Sequence, residues 1–400
     1  MNKDILYNKK SRDQLKQELD AEIFDRITCS FYRYMDIEEP IHFRDALYRE
    51  WNRLKILGRV YVAKEGINAQ ISCPDFNWNQ FLSSIESHSQ LKDVPIKRAV
   101  KDGKSFYKLT IKVKKEIVAY GLSSDEYDMK TVGNHLSAEL FNEKIEQGKA
   151  ITVDMRNYYE SEVGRFENAL TPDVDTSRDL LPVVKEMLSG HEDDEIMLYC
   201  TGGVRCEKAS AYLRSRGVGD VQQLDGGIHR FLEQFPDGGG VWRGRNFLFD
   251  NREAENYEDG ASNVVGSCGD CGARWGAHDG RNVCSVCETL CLVCKDCRAT
   301  RLEHYCPEHE DLRGAYCWFL DACDAAAIDK QADALRAALD APRARGSVNR
   351  RRSLRKQLDR VAARKAALYA GADIYVGPPR CRSCGSVECE GRCWGFWKKA

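Results

Sequence analysis

The chain has 400 residues, and its 60 Lys plus Arg against 62 Asp plus Glu leave a formal net charge of −2. That length suggests roughly two to four domains, and the balance excludes a globally basic nucleic-acid binder while leaving room for local basic faces. With 42% hydrophobic residues, no apolar run long enough for a membrane span and a charged start (MNKDILYNKKSRDQLKQ), the expectation is a folded, soluble, cytoplasmic protein with no membrane partner.

The first segment, residues 1–125, alternates strand-like and helix-like runs. Residues 27–34 (ITCSFYRY) are β-branched and aromatic, and 40–56 carry helical spacing through Phe43, Leu47 and Leu54, with Pro40 placed to start the helix. GRVYVA and INAQIS, joined across Lys64-Glu65-Gly66, read as a hairpin. A helix is predicted over 76–88, and strands over 94–100 and 107–113. The order β-α-β-β-α-β is ferredoxin-like, with one extra strand. No Ser, Cys or His here has an obvious catalytic setting.

Residues 126–250 read as α/β. AITVD at 150–154 and IMLY at 196–199 are short apolar runs of the buried parallel type, with a helix pattern at 180–188 between them. A helix follows over 206–216, closed by Gly217, then a strand over 221–224 and the turn Asp225-Gly226-Gly227. Strands alternating with helices predict a doubly wound sheet. Residues 251–266 are acidic and turn-rich and read as a linker; a cysteine-rich module is expected at 267–323. Leu335, Leu339, Leu354, Leu358, Val361 and Leu368 recur at helical intervals either side of Pro342 and Gly346, predicting an αα-hairpin within 324–371. A small cysteine cluster ends the chain at 372–400. The fold class is therefore multidomain, mixing α+β and α/β parts.

The most informative string is CTGGVR, Cys200 to Arg205. It follows a buried-type strand and opens a helix, so it lies where α/β folds bind ligands, at the carboxyl end of a parallel strand. Gly202 and Gly203 let the backbone curl and turn its N–H groups inward, so that Thr201, Gly202, Gly203 and Val204 form an anion cradle that favours a thiolate or persulfide on Cys200. Arg205 closes the loop and can pair with a carboxylate to hold it open. Cys206, on the first helical turn, is a candidate resolving thiol, the alternative being a packed helix cysteine. Asp154 and Arg156 read as a structural ion pair.

This loop, DMRN at 154–157, EVGRFENA at 162–169 and LDGGI at 224–228 together resemble a rhodanese domain. Tyrosine-phosphatase-like loops are longer, to wrap a phosphate; the shorter one here suits a sulfur atom. GRVYVAKEGINAQIS, DMRNYYESEVGRFENAL, YCTGGVRCEKASAYL and the CxxC tail, in this order, resemble the rhodanese-related tRNA uridine hydroxylases over about residues 26–310. The resemblance implies an essential cysteine, at the position of Cys200, and oxygen-dependent formation of 5-hydroxyuridine at the tRNA wobble position. Nothing in composition or spacing implies hydroxylation. A sulfurtransferase carrying a persulfide on Cys200 is the main alternative, and a non-catalytic scaffold a third. No flavin or nicotinamide fingerprint is present, so the electron donor is left open. His191-Glu192-Asp193 and His309-Glu310-Asp311 have an H-x-D spacing known from iron sites, but read as chance.

Of the 18 cysteines, only Cys29, Cys73, Cys200 and Cys206 precede Cys268. CxxC pairs crowded into one tail of a cytoplasmic protein read as structural zinc ligands, with iron–sulfur the alternative. Taken in chain order, Cys268 and Cys271 go with Cys284 and Cys287, and Cys294 and Cys297 with Cys306 and His309. Cys291 is surplus and crossed pairings are open. Cys381, Cys384, Cys389 and Cys393 offer a third set.

Two local basic runs stand out. Between Val94 and Lys115 eight Lys or Arg face one Asp, and between Arg343 and Lys365 ten face only Asp359. Such faces supply phosphate contacts without sequence specificity. The partner implied by the resemblance is tRNA at its anticodon loop; no protein partner is inferable.

Overall fold

The computed structural model describes residues 6–99, 103–248, 254–255, 264–278, 282–301, 303–313, 316–341, 348–378, 380 and 385–388. The chain forms two compact units, Met1–Val265 and Gly266–Ala400. The boundary falls at the end of the segment read as a linker.

The first unit opens with α1 (Arg12–Asp20), whose N-terminus is closed by a capping box between Ser11 and Gln14. There follow β1 (Arg26–Tyr34), α2 (Pro40–Arg53), β2 (Leu57–Ala63), β3 (Gly66–Pro74), α3 (Trp78–Ser87), β4 (Lys97–Arg98) and β5 (Leu109–Val113). The sheet order is β4-β1-β3-β2-β5, antiparallel except for β2 with β5. This is the expected ferredoxin-like arrangement with its extra strand; of the strand predicted over 94–100, Lys97–Arg98 is the paired part among the described residues, Val94 closes a turn on the Leu91 carbonyl, and Val100 lies outside the described residues. Strand alternation divides the sheet's two faces. Cys29, Phe31, Val60, Val62, Ile67, Ala69 and Ile71 meet Leu47, Trp51 and Phe81 of the helices in one core. Ser30, Tyr32, Arg59, Tyr61, Asn68 and Gln70 turn to the other side, where they line a cleft.

The same unit continues through β6 (Asn134–Leu136), α4 (Ala138–Gln147), β7 (Ile151–Asp154), α5 (Tyr158–Val163), β8 (Gly164–Phe166), α6 (Ser177–Met187), β9 (Glu195–Tyr199), α7 (Val204–Ser215), β10 (Asp220–Leu224) and α8 (Gly227–Gln234). The parallel sheet has the order β6-β10-β9-β7. Ile196 and Leu198 of β9 belong to the core on one side and Met197 and Tyr199 to the core on the other, so the central strand is apolar throughout. β11 (Trp242–Gly244) pairs with β8, and β12 (Asn246–Phe247) with β13 (Ala254–Glu255), so part of the predicted linker is paired strand.

The second unit holds the cysteine module, α9 (Lys295–Thr300), α10 (Ala325–Asp340, capped by Asp324) and α11 (Val348–Tyr369). Ile328 and Leu335 of α10 and Leu354 and Val361 of α11 share one buried cluster with the cysteines, so the helix pair and the module have a common core. Cys317 and Cys323, unassigned from sequence, form a disulfide. No helix among the described residues is long and apolar enough to cross a membrane.

Candidate active site

Cys200 follows β9 directly and is fully buried. Its loop is wedged from below by α8: the Ile228 and His229 N–H groups donate to the Cys200 and Thr201 carbonyls at 3.0 and 3.1 Å. Gly227 sits so close that a Cβ there would lie 2.5 Å from the Cys200 oxygen, which accounts for the Gly-Gly of the LDGGI string. Gly203, at φ +97°, aims its N–H at the Cys200 sulfur, 3.1 Å away.

Arg205 donates to both carboxylate oxygens of Glu160, at 2.6 and 2.8 Å, and to Thr201 Oγ1 at 3.1 Å. The expected carboxylate partner is thus Glu160 of α5. It also accepts from the Asn157 N–H at 3.0 Å as part of a capping box. Burial alone would push the Cys200 thiol up. The Cys206 thiol, the Arg205 charge and the backbone N–H groups of Arg205 and Gly202 outweigh it and hold Cys200 well below the usual thiol range. Cys206 is pushed the other way, by burial and by the Cys200 sulfur it donates to. The two sulfurs are thus pushed apart, Cys200 toward its charged form and Cys206 toward its neutral one. Asp154 and Arg156 form the buried ion pair read from sequence, with Tyr199 donating to Asp154 at 2.8 Å.

The other wall of the site comes from the ferredoxin-like part, and sequence reasoning missed it. Lys97 Nζ donates to the Gly202 carbonyl at 2.5 Å and lies 4.9 Å from the centre of the Tyr32 ring. Burial draws the Lys97 ammonium down, opposed by the negative charge of Cys200 and Asp225. Tyr34 and Tyr120 donate to the carbonyls of Val204 and Arg205, at 2.9 and 3.0 Å, and Tyr32 to Glu207 at 3.2 Å. Lys208, with no exposed surface, bridges Glu65 of the Lys-Glu-Gly turn and Glu116, at 2.8 and 2.6 Å. A signal existed for the tyrosines: Tyr32 and Tyr34 stand two residues apart on a strand and share its non-core face. Between the two walls lies a cleft of about 320 Å³, and Cys200, Tyr32, Tyr61, Arg59, Lys97 and Arg98 are among the residues that line it.

The metal-ligand candidates gather differently from chain order. Cys268, Cys271, Cys294 and Cys297 form one group, and Cys284, Cys287, Cys306 and His309 another, each with its ligand atoms within 4.8 Å of one another. The chain-order pairing is thereby corrected to a crossed one. The cause lies in the backbone: the Cys294 N–H donates to Cys268 Sγ, and an isolated bridge sets Cys284 beside His304, carrying each later knuckle to the next-but-one earlier knuckle. Sulfur separations of 3.7 Å, Cys271 to Cys294 and Cys287 to Cys306, match the roughly 3.8 Å edge of a tetrahedron with zinc–sulfur arms of about 2.3 Å. Both groups can hold a metal ion. Cys291 belongs to neither, and Cys381, Cys384, Cys389 and Cys393 lie outside the described residues. His191 pairs with Asp194 on the surface and His309 is in the second group, so the two H-x-D strings do not converge.

Three family models match the chain: a UPF0176 acylphosphatase like domain over 26–117, a rhodanese-like domain over 137–234 and a rhodanase C-terminal region over 243–310. A curated protein of Leptospira interrogans named tRNA uridine(34) hydroxylase is 45% identical over 297 residues, covering 73% of this chain and 79% of its own. A protein of the same name from Photorhabdus laumondii is 40% identical over 309 residues, 76% of this chain and 86% of its own. Among solved structures, a rhodanese-like domain from Anabaena is 20% identical over 28% of this chain and 80% of its own, with a TM-score of 0.24.

Proposed function

The chain belongs to the tRNA uridine(34) hydroxylase family, and from that premise we propose that it hydroxylates the wobble uridine of tRNA to 5-hydroxyuridine, with molecular oxygen as co-substrate and Cys200 as the essential nucleophile. The observation that carries the reading is the Cys200 sulfur, cradled by the Gly203 N–H beside Arg205, in the lining of a cleft that also holds aromatic rings and cations. An unpaired or flipped anticodon-loop base enters this cleft, its ring against Tyr32 or Tyr61 and its phosphates on Arg59, Lys97 or Arg98. Arg205 acts through Glu160 to keep the loop in shape, while Thr201, Gly202, Gly203 and Val204 form the cradle. If a peroxide oxidises Cys200 to the sulfenic acid, Cys206 resolves it: the Cys206 sulfur forms the disulfide bond as the sulfur–oxygen bond of Cys200 breaks, and the hydroxyl leaves as water with the Cys206 thiol proton. The enzyme works in the cytoplasm.

Zinc fits both cysteine groups, as the sulfur-rich donor sets and tetrahedral edge lengths favour it, and four protein ligands in each would fill the tetrahedron and leave no open catalytic position. Its contribution is to fold the module. The third cysteine set is proposed as a further site on its spacing alone.

The small cradle also suits a persulfide, which keeps sulfur transfer as the second reading. Nucleoside mass spectrometry of tRNA from cells lacking the protein, rescued with native chain or Cys200→Ala, separates the two. Loss of 5-hydroxyuridine restored only by the native chain supports hydroxylation. Unchanged 5-hydroxyuridine with a fall in thiolated nucleosides overturns it in favour of sulfur transfer.

A further inference from the structure

The matched family models end at residue 310, so α10 and α11 lie beyond them. The two helices differ sharply in charge. In α10 three Asp meet one Lys and one Arg, whereas α11 carries eight Lys or Arg and a single acid, Asp359.

The basic residues of α11 are of two kinds. Arg364 donates to the carbonyls of Leu320, Asp321 and Asp373, and Lys365 pairs with Asp329, so these two hold the helix in place. Arg350 is buried. Arg352, Arg355, Lys356 and Arg360 are exposed and form no ion pair among the described residues. Their spacing of three, one and four puts them on one side of the helix, opposite Leu354 and Val361, which are buried in the cysteine-module core. Gln357 ties the helix to that module, donating to the Val286 carbonyl at 3.0 Å and accepting from Tyr316. A cationic face is thus displayed on a fixed support. Among the described residues no acid pairs with it, although four like charges on about two turns repel one another and cost stability.

We propose that this face of α11 is an RNA-phosphate contact surface, which grips the tRNA backbone without reading sequence. The inference rests on the reading of tRNA as substrate. The occupant is a polyanion with regularly spaced charges: Arg352 to Arg360 spans about 12 Å along the helix, the reach of two or three successive phosphates. Arg dominates the face, and its fork matches phosphate oxygens in pairs.

The test uses the full zinc-loaded chain. Binding of an unmodified tRNA transcript is measured by fluorescence anisotropy across a salt series, for the native chain, for a variant with Arg352, Arg355, Lys356 and Arg360 all changed to Gln, and for Asp359→Asn. The Gln variant is expected to bind at least about tenfold more weakly at 0.1 M salt, with the salt slope reduced by roughly two to three. Asp359→Asn should bind more tightly than native. Unchanged affinity and slope in both variants overturn the proposal, as does binding of anionic phosphatidylglycerol vesicles in place of tRNA. Helical circular dichroism and zinc content confirm that each variant is folded. Hydroxylation at saturating tRNA is followed in parallel. A native chain that binds tRNA through α11 yet makes no 5-hydroxyuridine overturns the reaction and not this surface.

Discussion

Arg205 and Glu160 meet through two hydrogen bonds of 2.6 and 2.8 Å, with Glu160 wholly buried and Arg205 nearly so. The pair joins α5 to the first turn of α7 and sits directly behind the cysteine loop. A charge left alone at such depth is costly, so each partner is present because the other is.

Glu160→Gln is therefore expected to destabilise the first unit by about 3 kcal/mol, the scale for breaking a buried pair from one side. Urea unfolding followed by tryptophan fluorescence measures this. Equal midpoints for native and variant would show that the pair is not held as drawn. Arg205→Lys keeps the charge but loses the fork, and should lower product formation by at least tenfold.

The thiolate can be titrated directly. Because Cys200 is held well below the usual thiol range, the ultraviolet thiolate absorbance that disappears in Cys200→Ser should develop at lower pH than that of an ordinary thiol and should be lost on acidification. In Cys206→Ala the donor hydrogen bond is gone, the folded-state value rises, and the same signal should appear at higher pH. A signal that grows only between about pH 8 and 9 in the native chain would contradict the cradle's electrostatics.

Lys97 couples the ferredoxin-like part to the loop through Gly202. Lys97→Met should leave the fold intact and reduce hydroxylation about tenfold, through loss of one charge-assisted hydrogen bond. The thiolate signal should shift toward higher pH as well, since the ammonium favours the charged sulfur. Full activity with an unshifted signal would remove Lys97 from the site.

Metal counting by inductively coupled plasma mass spectrometry distinguishes the crossed pairing from the chain-order one. The double variant Cys268→Ser with Cys294→Ser should lose one ion relative to native, and Cys268→Ser with Cys284→Ser should lose two. Chain-order pairing gives the opposite result.

The cysteine loop was legible because its chemistry is contained in consecutive residues between a strand and a helix. Glu160 was not, as it lies 45 positions from Arg205 and reaches it only once α5 folds back; the Asn157-x-x-Glu160 capping signature was its local trace. Lys97 and Tyr120 were invisible as site residues for another reason, and for Tyr34 only the shared strand face was legible. They act where two folded parts meet, and the periodicity of a strand tells which face a side chain takes but not what is placed against that face. The parallel sheet was read from β7, β9 and β10, while β6 was missed because only Leu136 of its three residues is buried. In the tail, the CxxC spacing identified the ligands but not their partition, since two sulfurs on one knuckle carry no information about which distant knuckle completes the tetrahedron.

The crossed arrangement has a consequence for how the tail is made. Cys268 reaches a partner 26 residues on and Cys284 one 25 residues on, and each of these loops contains a knuckle belonging to the other site. The two closures are linked: the first ion to settle shortens the chain available to the second and pre-pays most of its closure entropy. Apo and fully loaded chains should therefore dominate any titration, with the half-loaded species scarce, and a cell short of metal would accumulate a mixture of finished and unfinished tails in place of uniformly weakened ones.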